Sequence, residues 1–164
     1  MRYLLPIPAV TLAFAALLSV AGPAASDEAA AVPQPTQSNP YADGALIEGL
    51  GIDGRWARNC SGSASEANAY TLYKVRSGSA PTETRTTGAE IAESATLSNV
   101  RRAEEGRVAW TRTSDAGAVD IVMQLKGNQM RLWSAVAGDG TTEAAHGKDA
   151  QGHATPWLNK CETN

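Results

Sequence analysis

From Gly54 onward the chain alternates apolar and polar residues in short runs, broken by Gly, Asn, Asp and Ser. A period of two is that of a strand with one buried face. The pattern predicts strands over 55–60, 70–75, 82–87, 91–100, 107–113, 118–126, 129–137 and 142–147. The Ala and Glu content of 89–100 would also suit a helix.

Gly127-Asn128 is a two-residue turn dipeptide between two alternating runs. If Lys126 faces Gln129, then Leu125 faces Met130, Met123 faces Leu132, Ile121 faces Ser134 and Val119 faces Val136. That side of the ribbon is almost wholly apolar. The other side pairs Gln124 with Arg131, Val122 with Trp133 and Asp120 with Ala135. A slip by one residue would set core positions against polar ones, so turn and pattern specify the same register. Short connections at 114–117 and 138–140 force antiparallel neighbours, because a parallel crossover needs a dozen or more residues. The predicted class is all-β, a small antiparallel meander of about eight strands closing into a barrel, with a two-sheet sandwich as the alternative. No internal repeat is visible.

The N-terminal part has a different pattern. Arg2 is followed by an apolar run from Leu4 to Val20 and by the small-residue stretch Ala21-Gly22-Pro23-Ala24-Ala25-Ser26. These are the three parts of a secretory signal, with Asp27 the expected new N-terminus. Pro6, Pro8 and the small residues favour cleavage over a retained membrane anchor, and no cysteine near the junction suggests lipid attachment. Residues 27–45 read Ala, Pro, Gln, Ser and Asn, too poor in bulky apolar side chains to offset the entropy of ordering. The expected organisation is a signal peptide at 1–26, a flexible linker at 27–45 and one antiparallel β domain at 46–164, in which 46–52 packs on the domain edge.

Charge and cysteine content narrow the function. Without Arg2, 13 basic side chains stand against 17 acidic ones, a net charge of −4. Arg101-Arg102 is followed by Glu104-Glu105, so no basic stripe suggests nucleic acid. The two cysteines, Cys60 and Cys161, read as one structural disulfide in an exported chain. The loop of about 100 residues it closes gives a chain-entropy stabilisation of ~4.7 kcal/mol.

Candidate chemistry is sparse. His146, His153 and Asp149 are the one set resembling metal ligands, but the turn-like 147–152 between the histidines imposes no ligand spacing, so no metal is expected. No serine stands in a Gly-x-Ser-x-Gly elbow, and no glycine-rich segment opens a helix. Glu104-Glu105 and the pair Glu90 and Glu93 read as solvated charge. Neither catalysis nor a cofactor is expected. The aromatic residues stand out more: Trp56 and Trp110 suit a core, whereas the hairpin register turns Trp133 to the outer side beside Arg131. Either the C-terminal segment 155–161 covers Trp133, or Arg131 and Trp133 contact a partner, with the composition of an interface hot spot.

Gly54-Arg55-Trp56 at the head of the first strand resembles the Gly-x-Trp start of lipocalin-like and avidin-like barrels. That resemblance implies a lipocalin-like barrel; it departs from the lipocalin pattern on the last strand, where an Arg is expected and Lys148 is the nearest cation. Arg55-Trp56 through Cys60, Arg107-Val108-Ala109-Trp110-Thr111, Met130-Arg131-Leu132-Trp133-Ser134 and Thr155-Pro156-Trp157-Leu158-Asn159-Lys160-Cys161 are similar to a family of small exported bacterial β-rich proteins. This implies location and a disulfide, and no activity. The chain is also superficially similar to periplasmic inhibitors of c-type lysozyme but lacks their Ser-Gly-x-Arg-Tyr loop. The expectation is a monomeric, non-catalytic binding module, periplasmic or secreted, acting through its barrel surface or mouth on an envelope protein or a small molecule. Two alternatives are an inhibitor of an envelope-attacking enzyme such as lysozyme and a carrier of a small apolar ligand.

Overall fold

The computed structural model describes residues 38–162; the expected signal at 1–26 and the linker up to residue 37 lie outside them. A helix, α1 (Pro40–Gly49), precedes ten strands: β1 (Gly54–Ala57), β2 (Tyr70–Lys74), β3 (Thr82–Thr86), β4 (Ile91–Ala103), β5 (Arg107–Ser114), β6 (Gly117–Lys126), β7 (Gln129–Ala137), β8 (Thr142–Ala145), β9 (Lys148–Asp149) and β10 (Leu158–Cys161). All pairings are antiparallel, and β10 bonds both β1 and β7, so β1 to β7 and β10 form a closed eight-stranded ring. The structure is a barrel rather than the two-sheet alternative.

The predicted strand at 142–147 is not a stave of this ring. The part of it that forms a strand, β8, pairs with the far end of β7 and carries β9 beside it. The eighth stave is β10, which the sequence reading treats only as a cover. Leu158 and Cys161 do not announce a strand over so short a run; what makes one is Cys60 at the other end of a disulfide, with Cα atoms 5.3 Å apart at a sequence separation of 101.

The hairpin register holds from the turn to Met123↔Leu132 and then shifts. Gly127, at φ 58, supplies the left-handed first position of the turn. Past Leu132 the partners are Val122↔Ser134, Ile121↔Ala135, Asp120↔Val136 and Val119↔Ala137, correcting the expected Val122–Trp133, Ile121–Ser134, Asp120–Ala135 and Val119–Val136 pairs. Trp133 is the extra residue of a β-bulge. Bulges raise local twist, which a strand needs to wrap a small barrel. One consequence is an exchange of sides: Ala135 is buried and Val136 is exposed.

The second difference is α1, which begins inside the stretch expected to be flexible to residue 45. Asn39 caps it, accepting the N–H groups of Tyr41 and Ala42 on its side chain, and Pro40 fits the first turn. Tertiary contacts do the rest. Ile47 is fully buried in the main core with Ile52, Trp56, Tyr73, Leu97, Val108, Trp110, Met123 and Met130. Asp43, also buried, accepts from Val100 N at 2.8 Å and from Ser38 Oγ at 2.7 Å. A Cβ on Gly44 would meet Val75 at 2.9 Å, so the helix backbone lies directly on the barrel end. Thus α1 closes the end formed by Val75 and Val100, and the opposite end is left to the loops.

Candidate functional site

The open end is where Thr71, Arg85 and Glu93 stand on β2, β3 and β4, in register with one another. Strand alternation carries inward positions toward this end in two moods. On β6, β7 and β10 they are apolar: Met123, Leu132 and Leu158. On β3, β4 and β5 they are charged: Glu83, Arg85, Glu93 and Arg112.

The apolar side borders a cavity of about 380 Å³, near the lower end of the ~300–1,000 Å³ usual for small-molecule sites. Met123, Leu132 and Leu158 line it together with Thr71 and Arg85. Its walls include Arg58, Glu66, Ala67 and Ala69 from the β1–β2 loop, and Thr155 and Pro156 leading into β10. Both walls are fixed. In the loop, Asn68 accepts Asn59 N at 2.9 Å and donates back to Asn59 O at 3.0 Å, and Cys60 is in the disulfide. On the other side Thr155 Oγ1 donates to Leu132 O at 2.6 Å, and Thr155 N donates to Gly147 O at 2.8 Å. A cavity of about 520 Å³ shares Glu66 and Arg85 with the first, and another of about 440 Å³ runs past Arg112 toward Asp139 and Glu143.

The charged side is a connected group. Arg112 donates Nε to Glu83 Oε1 at 3.0 Å and Nη2 to Glu93 Oε2 at 2.5 Å. Arg112 and Glu83 are largely buried, so each needs the other: an unpaired charge there would forfeit its hydration. The hydrogen bond from Arg112 holds the Glu93 carboxyl below its usual range. Tyr73 lies deeper, stacked edge-on against Trp110 at 5.7 Å. Burial, reinforced by Glu83, pushes its phenol well above the usual tyrosine range.

Arg131 and Trp133 do come together on the outside of the barrel, as the sequence suggests, but within a larger stack. The Arg107 guanidinium lies 4.1 Å from the Trp133 ring centroid, Arg131 lies 5.5 Å from the same ring, and Arg131 is 4.7 Å from the Trp157 ring. The order is therefore Arg107, Trp133, Arg131, Trp157. Arg131 Nε also donates to Gln124 at 2.8 Å, and the His146 ring meets Trp133 edge-on at 6.0 Å. Gly147 sits under the Arg131 guanidinium, where a Cβ would approach Cζ to 3.0 Å. Both residues are half-buried, and their polar and aromatic surfaces are largely engaged with each other.

His146 and His153 belong to different neighbourhoods. His153 Nδ1 faces Asp149 Oδ2 at 3.4 Å in an exposed turn, whereas His146 lies against Trp133. Among the described residues no three of His, Cys, Asp and Glu converge as metal ligands.

Sequence reasoning missed the mouth residues Arg58, Arg85 and Arg112. One signal was present: 82–86 reads Thr-Glu-Thr-Arg-Thr, a strand whose charged positions share one side, and Glu93 is the first charge of the next strand. Charges repeating at i and i+2 on the inward side of a small barrel mark a polar interior. No family model, no curated protein and no solved structure matches this chain.

Proposed function

We propose that this is an exported, non-catalytic binding protein that takes a compact, mostly apolar small molecule in the open mouth of its barrel. The observation that carries the reading is the cavity of about 380 Å³ in which inward residues Met123, Leu132 and Leu158 remain reachable from the end opposite α1. A barrel this narrow can be filled by its own side chains; this one is stopped by a helix at one end and left hollow at the other. The cavity walls are tied by a disulfide and by backbone-directed hydrogen bonds, so little would have to be ordered on binding. A disulfide at the end of the closing strand fits a chain that matures in an oxidising compartment, and the predicted signal at 1–26 agrees with this.

Surface binding through Arg131 and Trp133 is the weaker alternative, because both already satisfy each other and their neighbours. The test uses N-phenyl-1-naphthylamine, a neutral apolar fluorophore, with the mature protein. Saturable enhancement at one site, abolished by Leu132→Trp, which fills the cavity, is the expected result. No saturable signal, or an equal one in Leu132→Trp, overturns the proposal.

A further inference from the structure

Resting on that reading, we infer that the ligand of the mouth cavity carries an anionic head, a carboxylate or its equivalent, and that Arg85 receives it. The argument begins from an incomplete charge pairing on β3. Glu83 and Arg85 both point inward, and the cross-strand neighbour of Arg85 is Glu93. A guanidinium in that position would ordinarily pair with that glutamate. Here Arg112 takes both acids, Glu83 at 3.0 Å and Glu93 at 2.5 Å. Arg85 is left at the mouth with no ion pair among the described residues.

The other charges of the apolar cavity balance formally, Arg58 and Arg85 against Glu66 and Asp149, but they are unevenly engaged. Arg58 lines it as a second cation, lending only Nη1 to Ala67 O at 3.4 Å. Of the two acids, Asp149 is already engaged: its Oδ1 accepts the N–H groups of Gln151 and His153, and its Oδ2 faces the His153 ring. Glu66 has no hydrogen bond or ion pair among the described residues, whereas Asp149 keeps its charge with its oxygens committed to N–H groups. Arg85 also borders both the apolar cavity and the wide polar one, whose acids are Glu66, Asp115 and the Glu93 already held by Arg112. An anionic head at that junction stays partly solvated while its apolar part lies on Met123, Leu132 and Leu158. A planar guanidinium fork matches a carboxylate in two parallel hydrogen bonds, and the limited volume calls for a short chain or a single ring.

Titration calorimetry with octanoate, octan-1-ol and octylammonium separates charge from chain. Octanoate is expected to bind about tenfold more tightly than octanol or better, the scale of a charge-assisted pair in a half-wet site. Arg85→Gln should erase that margin, Arg85→Lys should keep part of it, and Glu66→Gln should widen it. Arg85 is exposed, so these variants keep the fold, which a thermal melt verifies. Equal binding of octanoate and octanol, tighter octylammonium, or an unchanged margin in Arg85→Gln overturns the anionic head; the mouth reading survives if the neutral fluorophore still binds. If neither the fluorophore nor any of the three chains binds, both readings fall together.

Discussion

Arg112 reaches Glu93 Oε2 at 2.5 Å from inside the barrel while its Nε holds the more deeply buried Glu83. One cation thus serves two acids at the boundary between core and mouth. Glu93 has a lower pKa folded than unfolded, so it adds stability that is present above the unfolded value of about 4.5 and disappears as pH falls through the folded value. Denaturant melts should show stability decreasing below about pH 4.5, and Glu93→Gln should flatten that decrease. An unchanged acid profile in the variant would mean that this pair does not govern it.

Tyr73 predicts the opposite limb. Its phenol titrates higher when folded than when unfolded, so its contribution is complete below about pH 10 and is lost as pH rises through the folded value. Tyr73→Phe should make stability less dependent on pH above 10, as measured by thermal melts. Alkaline sensitivity equal to that of the parent would exclude Tyr73 as its source.

The disulfide supports the ring as well as the unfolded-chain entropy term. Reduction, or Cys60→Ser with Cys161→Ser, should cost about 2–5 kcal/mol in denaturant unfolding. It should also selectively increase exchange of the β10 amides, because that strand has only three pairs with β1 and two with β7. A loss of stability without faster β10 exchange would reduce the bridge to chain entropy alone.

The helix is held by two specific devices, so their removal should be graded. Asn39→Ala removes the cap and should cost about 1 kcal/mol. Asp43→Ala strips the half-buried Val100 N–H of its acceptor and should cost about 1–3 kcal/mol. Urea melts followed by far-ultraviolet circular dichroism measure both; an Asp43→Ala protein as stable as its parent would show that α1 does not depend on that tie.

How much of this the sequence shows depends on the range of the forces involved. β7 is legible because a turn dipeptide and a two-residue period are local, and its bounds, Gln129–Ala137, match the expected ones. The bulge at Trp133 is not, because the alternation through 130–136 reads equally well without it; only closure of the ring demands the added twist. β10 and α1 were missed for one shared reason. Their few apolar residues become structural only when Cys161 meets Cys60 and when Ile47 and Asp43 meet the barrel end, through contacts 101 and 57 positions apart in the chain. The mouth combines both cases: Glu83 and Arg85 show their side by alternation, but no local rule indicates that Arg112, on another strand, takes the partner that Arg85 lacks.

The outer stack gives a separate prediction. Trp133→Ala removes a half-buried indole held by two guanidinium groups and should cost about 1–3 kcal/mol, less than a fully buried Trp. In a double-mutant cycle with Arg131→Ala, the two losses should not add. Full additivity would mean that the two side chains act independently.

Of all its neighbours, β10 grips β7 through the fewest rungs: Leu158 with Met130 and Asn159 with Gln129, helped by Lys160 N on Asn128 O at 2.9 Å. A cylinder laced everywhere else by longer ladders will part first along that stitch. Leu158 lines the hollow, so a brief parting there would open the cavity through its wall, without the rim loops moving.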